Sequence, residues 1–251
     1  METTQDKFLL ESAEELTSLP VKTYVQRGVT VNEVTVTPQL ARKTNRRQGH
    51  YVTILPDHRS KPSTISKVIE TSLSRLVKKL GVDGGKALVV GLGNRNYTAD
   101  ALGYEVAKAI SKVSTRYQIC SLIPQLAGLT GISSYDIIRG VIYTQKPSLV
   151  IIIDSLSTNK IDRLGKSFQL TTAGISAGSG VDNAQPILDK SSLGAPVIAI
   201  GCPLVISVGS IYDKCALPSA IAQYVVTPSD IDKLVKESGS IITAALNNCL
   251  R

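Results

Sequence analysis

Tryptophan is absent from the 251-residue chain, phenylalanine occurs twice, methionine once and histidine twice. A core must therefore be built from Ile, Val, Leu and Ala, and any chemistry resting on histidine has only His50 and His58 to draw on. Cysteine is also sparse. Cys120, Cys202, Cys215 and Cys249 are scattered with no C-x-x-C pair, which argues against a structural zinc site and for buried free thiols. No apolar run approaches the ~18 residues that a membrane-spanning helix needs. The first residues carry Glu11, Glu14 and Glu15 instead of the basic-then-apolar order of a signal peptide. Together these absences predict a cytoplasmic protein with no metal, no cofactor and no membrane partner.

What is present is ordinary globular material. The chain is 43% hydrophobic and 19% charged, enough for a full core, and its length suits a single α/β domain over residues 1–251. The net charge of +8 is unevenly placed: residues 1–20 carry −4 and residues 21–79 carry +9. The basic stretch includes Arg42, Lys43, Arg46, Arg47, Arg59, Lys61, Lys78 and Lys79. It reads as a solvated face or a contact for an acidic neighbour; without interleaved aromatics or zinc-finger spacing, direct nucleic-acid binding is not expected. Residues 1–19 read as a short acidic helix, either a pro-segment attracted to the basic stretch or a frayed surface element.

The patterning predicts a strand or bent hairpin over 21–36, a strand over 50–55 and a helix over 63–80 closed by Gly81. Strand 87–91, helix 98–113, strand 118–124, helix 133–144 and strand 148–153 then alternate. Further strands fall at 167–172 and 197–200, and a last helix at 229–250. This alternation predicts a three-layer α/β/α sandwich with a mainly parallel sheet.

Several motifs fail on inspection. Gly91-x-Gly93 suggests a dinucleotide fingerprint, but the third glycine position holds Asn96. Gly165-Lys166-Ser167 ends like a phosphate loop whose leading glycine is replaced by Lys160. Gly174-Ile-Ser176-Ala-Gly178 fits the serine-hydrolase elbow, yet no histidine follows His58 to complete a triad. Two aspartates remain, each placed where a buried strand runs out: Asp100, after Lys86–Gly91, and Asp154, after Leu149–Ile153. In a parallel sheet, ligands bind outside the carboxyl ends of the strands. Asp100 alone also fits the first turn of a helix capped by Thr98, where the helix dipole favours a carboxylate. Asp154 is harder to account for structurally, because an unpaired charge buried at a strand end is costly. As a pair, the two carboxyls would divide the acid and base roles of peptide hydrolysis.

Val89-Val-Gly-Leu-Gly-Asn-Arg-Asn-Tyr-Thr-Ala-Asp100-Ala-Leu-Gly103 resembles the signature of the germination protease family. Leu126–Ile138, Ile153-Asp154-Ser-Leu-Ser157, Gly178–Asn183, Leu193–Gly201 and Val226–Asp232 extend the resemblance in the same order. It implies an atypical aspartic endopeptidase that degrades small acid-soluble spore proteins in the spore core at germination. It further implies an α/β fold similar to hydrogenase maturation endopeptidases, a homo-oligomer (a tetramer in the family), synthesis as a zymogen, and Asp100 and Asp154 as the catalytic pair. Where the family has His-Pro before Gly-Ser-Gly, this chain has Ser176-Ala177, and the segment between Val205 and Thr227 is short. Two alternatives stand beside this reading: a metal-dependent maturation-type endopeptidase on the same fold, and a non-catalytic sporulation protein that binds a partner through the same crevice.

Overall fold

The computed structural model describes residues 19–176, 186–212 and 218–251. Most of the expected acidic segment 1–19, the Gly178–Asn183 motif and Cys215 lie outside the described residues. The chain opens with β1 (Lys22–Gln26) and β2 (Val29–Val36), joined through Arg27 and Gly28. Both turn residues have positive φ, 53° and 80°, the geometry of a tight two-residue hairpin. Helix α1 (Pro38–Thr44), which the patterning does not predict, starts from a Thr37 cap with Pro38 in its first turn. It has no fully buried residue, so it leaves no apolar period to read.

Next come β3 (Gly49–Leu55), α2 (Pro62–Lys79), β4 (Gly85–Gly91), a 3-10 turn at Thr98–Asp100 and α3 (Leu102–Ala109). They are followed by β5 (Tyr117–Leu122), α4 (Ala127–Thr130), α5 (Ser134–Gln145), β6 (Leu149–Thr158) and β7 (Phe168–Thr171). The chain continues with β8 (Ile175–Ser176), β9 (Ile187–Leu188), α6 (Lys190–Leu193) and β10 (Val197–Ser207). It closes with α7 (Val208–Ile211), α8 (Ser219–Ala222), β11 (Val225–Val226) and α9 (Ile231–Cys249).

The main sheet runs β1-β2-β3-β7-β10-β6-β4-β5, with β11 added to the end of β10. Its β10-β6-β4-β5 half is parallel, as an alternating strand–helix sequence requires. The β1-β2-β3-β7 half joins it in antiparallel pairs. Side chains on one face pack under α2, α3 and α9, with Val89, Ile151, Ile153, Ile198 and Ile200 at the centre. Those on the other face, including Val90, Ile152, Leu156 and Ala199, pack under Ile138 and Ile142 of α5 and Leu193 of α6. The α/β/α layering is thus the predicted one.

Two boundaries differ from the sequence reading in ways that matter for the site. The expected helix from Thr98 is broken: Thr98–Asp100 form a separate 3-10 turn, without a side-chain cap, and α3 begins at Leu102. Asp100 therefore precedes α3 instead of sitting in its first turn, and the capping explanation for it falls. Strand β6 does not stop at Ile153, because β10 stays paired beside it from Val197↔Val150 to Ile206↔Thr158. Asp154 is an interior residue of its own strand, located where the neighbouring strand β4 ends.

Candidate active site

The site is assembled by backbone contacts too close for side chains. Gly91, the last residue of β4, and Gly103, in the first turn of α3, face each other; a Cβ on Gly91 would collide with the Gly103 carbonyl, and one on Gly103 with the Leu92 and Ile153 backbones. This pair lets the start of α3 rest directly on the end of β4 and on the middle of β6. Gly93 has φ of 95°, and any side chain there would overlap the Asp100 carbonyl oxygen. The chain can thus leave β4, turn sharply and return Asp100 to the strand end.

Once there, Asp100 is held by one backbone amide. The Asn94 N–H donates to its carboxylate Oδ2 at 2.9 Å and to its own carbonyl oxygen at 3.1 Å. The Asn96 N–H in turn donates to the Asn94 side chain at 2.9 Å, which stiffens the loop. Burial pushes the Asp100 carboxyl up to about 6, opposed only by the Asn94 hydrogen bond.

Asp154 reaches the same place from β6. Gly91 pairs with Ile153, and the Leu92 N–H donates to the Ile153 carbonyl at 2.9 Å, so Asp154 is the first β6 residue beyond the β4 ladder. On its other side it pairs with Gly201 of β10, which presents no side chain. By strand alternation it shares a face with Val150, Ile152 and Leu156, an apolar setting for a carboxyl. Its Oδ1 accepts only the N–H of the next residue, Ser155, at 2.9 Å. The carboxyl is pushed well above the ordinary range, first by burial and second by the negative charge of Asp100. The influence runs one way: the charge of Asp100 adds to burial in favouring the protonated form of Asp154.

The other residues that the sequence brings forward belong to other elements. Ser176 is in the small β8–β9 sheet. His50 is the second residue of β3, with Nδ1 2.9 Å from Thr35 Oγ1, and His58 follows β3 in a turn beside Arg59. Cys202 is fully buried, its thiol pushed up to about 12 by burial. Among the described residues no three His, Cys, Asp or Glu side chains converge in a metal-holding arrangement. Sequence reasoning missed Asn94 and Gly201. Nothing in sequence distinguishes a loop amide, but a glycine inside the apolar run Val197–Ile206 was a readable sign of a crowded or functional position.

Comparison with known proteins finds a family model described as germination protease that matches residues 1–217. Among curated relatives, a germination protease of Clostridium tetani is 29% identical over 297 residues, covering 96% of this chain and 91% of that protein. One from Bacillus velezensis is 36% identical over 197 residues, 71% of this chain and 54% of its own length. The chain thus spans most of the clostridial relative and about half of the Bacillus one. Among solved structures, the [NiFe] hydrogenase maturation protease HycI from Thermococcus kodakarensis aligns over 70% of this chain and 99% of its own, with TM-score 0.41 and 18% identity.

Proposed function

The chain belongs to the germination protease family, and from that premise we propose that it is an endopeptidase that hydrolyses small acid-soluble spore proteins during germination, using the Asp100 and Asp154 carboxyls as an acid–base pair. The observation that carries this reading is the unequal setting of the two groups. Burial pushes the Asp100 carboxyl up to about 6, whereas Asp154 is deeper and is pushed well above the ordinary carboxylate range by burial first and by the charge of its neighbour second. At neutral pH the pair therefore holds one carboxylate and one carboxylic acid.

Hydrolysis follows from that division. Ionised Asp100 takes a proton from a water molecule as its oxygen bonds to the scissile carbonyl carbon, while Asp154 gives its proton to the carbonyl oxygen. The tetrahedral intermediate then collapses: the C–N bond breaks, the proton on Asp100 passes to the leaving nitrogen, and the hydroxyl proton returns to Asp154. Both carboxyls end as they began, and neither a histidine nor a thiol is used.

The test is to purify Asp100→Asn and Asp154→Asn and incubate each with a small acid-soluble spore protein. Both should fold and both should lose cleavage by at least ~10²-fold, the usual contribution of a positioned acid or base. Full activity in either folded variant removes the pair from the mechanism.

A further inference from the structure

The structure collects one charge cluster that the proposed reaction does not use. Arg42 and Lys43 lie in the last turn of α1, Arg46 and Arg47 in the turn that follows, and Lys78 and Lys79 in the last turn of α2. Helices α1 and α2 cover opposite faces of the sheet, α1 over Val34, Val36 and Tyr51 and α2 over Val52 and Ile54. Their basic ends nevertheless meet around the second and third residues of β3. Lys79 Nζ stands 3.4 Å from His50 Nδ1, and the Tyr51 hydroxyl donates to the Arg47 carbonyl at 2.7 Å. The cations thus wrap around one end of the antiparallel half-sheet. Because β3 and β10 both run antiparallel to β7, this is the amino end of the parallel strands, away from Asp100 and three strands across from Asp154.

Lys67–Glu70, Arg75–Glu33 and Arg116–Asp83 form ion pairs, and none of these uses Arg42, Lys43, Arg47, Lys78 or Lys79. Arg42, Lys43, Lys78 and Lys79 are exposed. No large apolar side chain is exposed among them: the exposed set runs from Val25 directly to Tyr97 along the chain. Protein interfaces depend on buried aromatic or aliphatic anchors, which this surface lacks. Single-stranded nucleic acid needs exposed aromatics for stacking, and Tyr51 is buried. A phosphate backbone requires only cations arrayed over its length.

We propose that this basic end is a binding surface for the phosphate backbone of double-stranded nucleic acid, without base readout and separate from the Asp100–Asp154 pair. The sequence alone argues against such a partner because it shows neither interleaved aromatics nor zinc-finger spacing; the fold gathers the cations at one end of the sheet.

The experiment uses the full chain and a fluorescent 20-base-pair DNA of mixed sequence, followed by anisotropy between 50 and 200 mM salt. With the four exposed cations each neutralising a phosphate, affinity should fall about 10²-fold over that range, equally for a shuffled sequence. The variant Arg42→Gln/Lys43→Gln/Lys78→Gln/Lys79→Gln should lower the salt slope by about 3 to 4, at about 0.9 for each phosphate left without its cation. A control with Lys108→Gln/Arg139→Gln/Lys233→Gln/Lys236→Gln removes the same charge elsewhere and should keep wild-type binding. If the quadruple patch variant fails to fold, the doubles Arg42→Gln/Lys43→Gln and Lys78→Gln/Lys79→Gln should each give about half the slope change. The proposal is overturned if wild type does not bind at 50 mM salt, or if the control weakens binding as much as the patch variant does. It is also overturned if polyglutamate or phosphatidylserine vesicles bind through the same four residues more tightly than DNA, which would assign the surface to acidic proteins or membranes.

Discussion

Replacing Asp100 with Asn should make the protein more stable, by an amount that depends on pH in a defined way. Burial holds the Asp100 carboxyl at about 6 against an ordinary 3.8. Between those values the folded protein retains a proton that the unfolded chain has released. Stability contributed by this group is therefore fully present below about pH 4 and is lost as pH rises through about 6. At 1.36 kcal/mol per unit, ionising Asp100 in place costs roughly 3 kcal/mol by pH 7. Asparagine never ionises, and its side-chain oxygen can still accept the Asn94 N–H that Oδ2 accepts now. Thermal unfolding of wild type and Asp100→Asn should thus nearly coincide at pH 4 and separate by about 6–12 °C at pH 7, using 2–4 °C per kcal/mol for a domain of this size. A constant difference across pH 4–7 would mean that the substitution acts by repacking, and an absent one that Asp100 is solvated. Either result would refute the reasoning from burial to catalysis.

The coupling between the carboxyls should be lopsided. Carboxyl titration by NMR should show Asp154 moving down in Asp100→Asn, because the Asp100 charge is its second perturbing influence, while Asp100 stays near about 6 in Asp154→Asn. In wild type, kcat/KM should rise with pH through about 6, as the base ionises, and fall again only where Asp154 loses its proton. Gly103→Ala should drive a methyl into the Leu92 and Ile153 backbones, cost about 1–3 kcal/mol in denaturant unfolding, and reduce cleavage in the fraction that still folds.

The parallel half of the fold was legible because its signal is strong. Val150–Ile153 and Val197–Ile200 are unbroken apolar runs, readable only as strands covered on both faces. Where those runs stop, legibility stops too. Asp154 reads as a strand end because hydropathy changes there, yet the ladder continues to Thr158 since backbone pairing with β10 does not depend on side-chain polarity. Thr98-Ala-Asp100 reads as the opening of a helix because its cap chemistry is right; closeness to Gly93 and Gly91 instead tightens it into a separate 3-10 turn, and no local pattern carries that tertiary constraint. The antiparallel half was visible as strands but not as neighbours of β10, because β7 inserts between β3 and β10 from more than a hundred residues downstream.

The scarcity that opens the sequence reading also bears on why the site takes this form. Histidine is the side chain whose unperturbed titration falls near neutrality, and the two in this chain are at β3 and the turn after it, away from the crevice. A chain that performs acid–base chemistry without histidine can obtain a near-neutral group by raising a carboxyl, and burial is one way to raise it. The apolar strands supply burial, but a strand interior is normally closed to a ligand. Here Gly201 makes room for the Leu156 side chain packed beside Asp154, and Gly91 and Gly103 let Asp100 be set down against the end of β4 without an intervening layer. On this account the glycines matter as much as the aspartates: filling any of them would separate the two carboxyls or return them to water, and the pair would titrate as two ordinary acids.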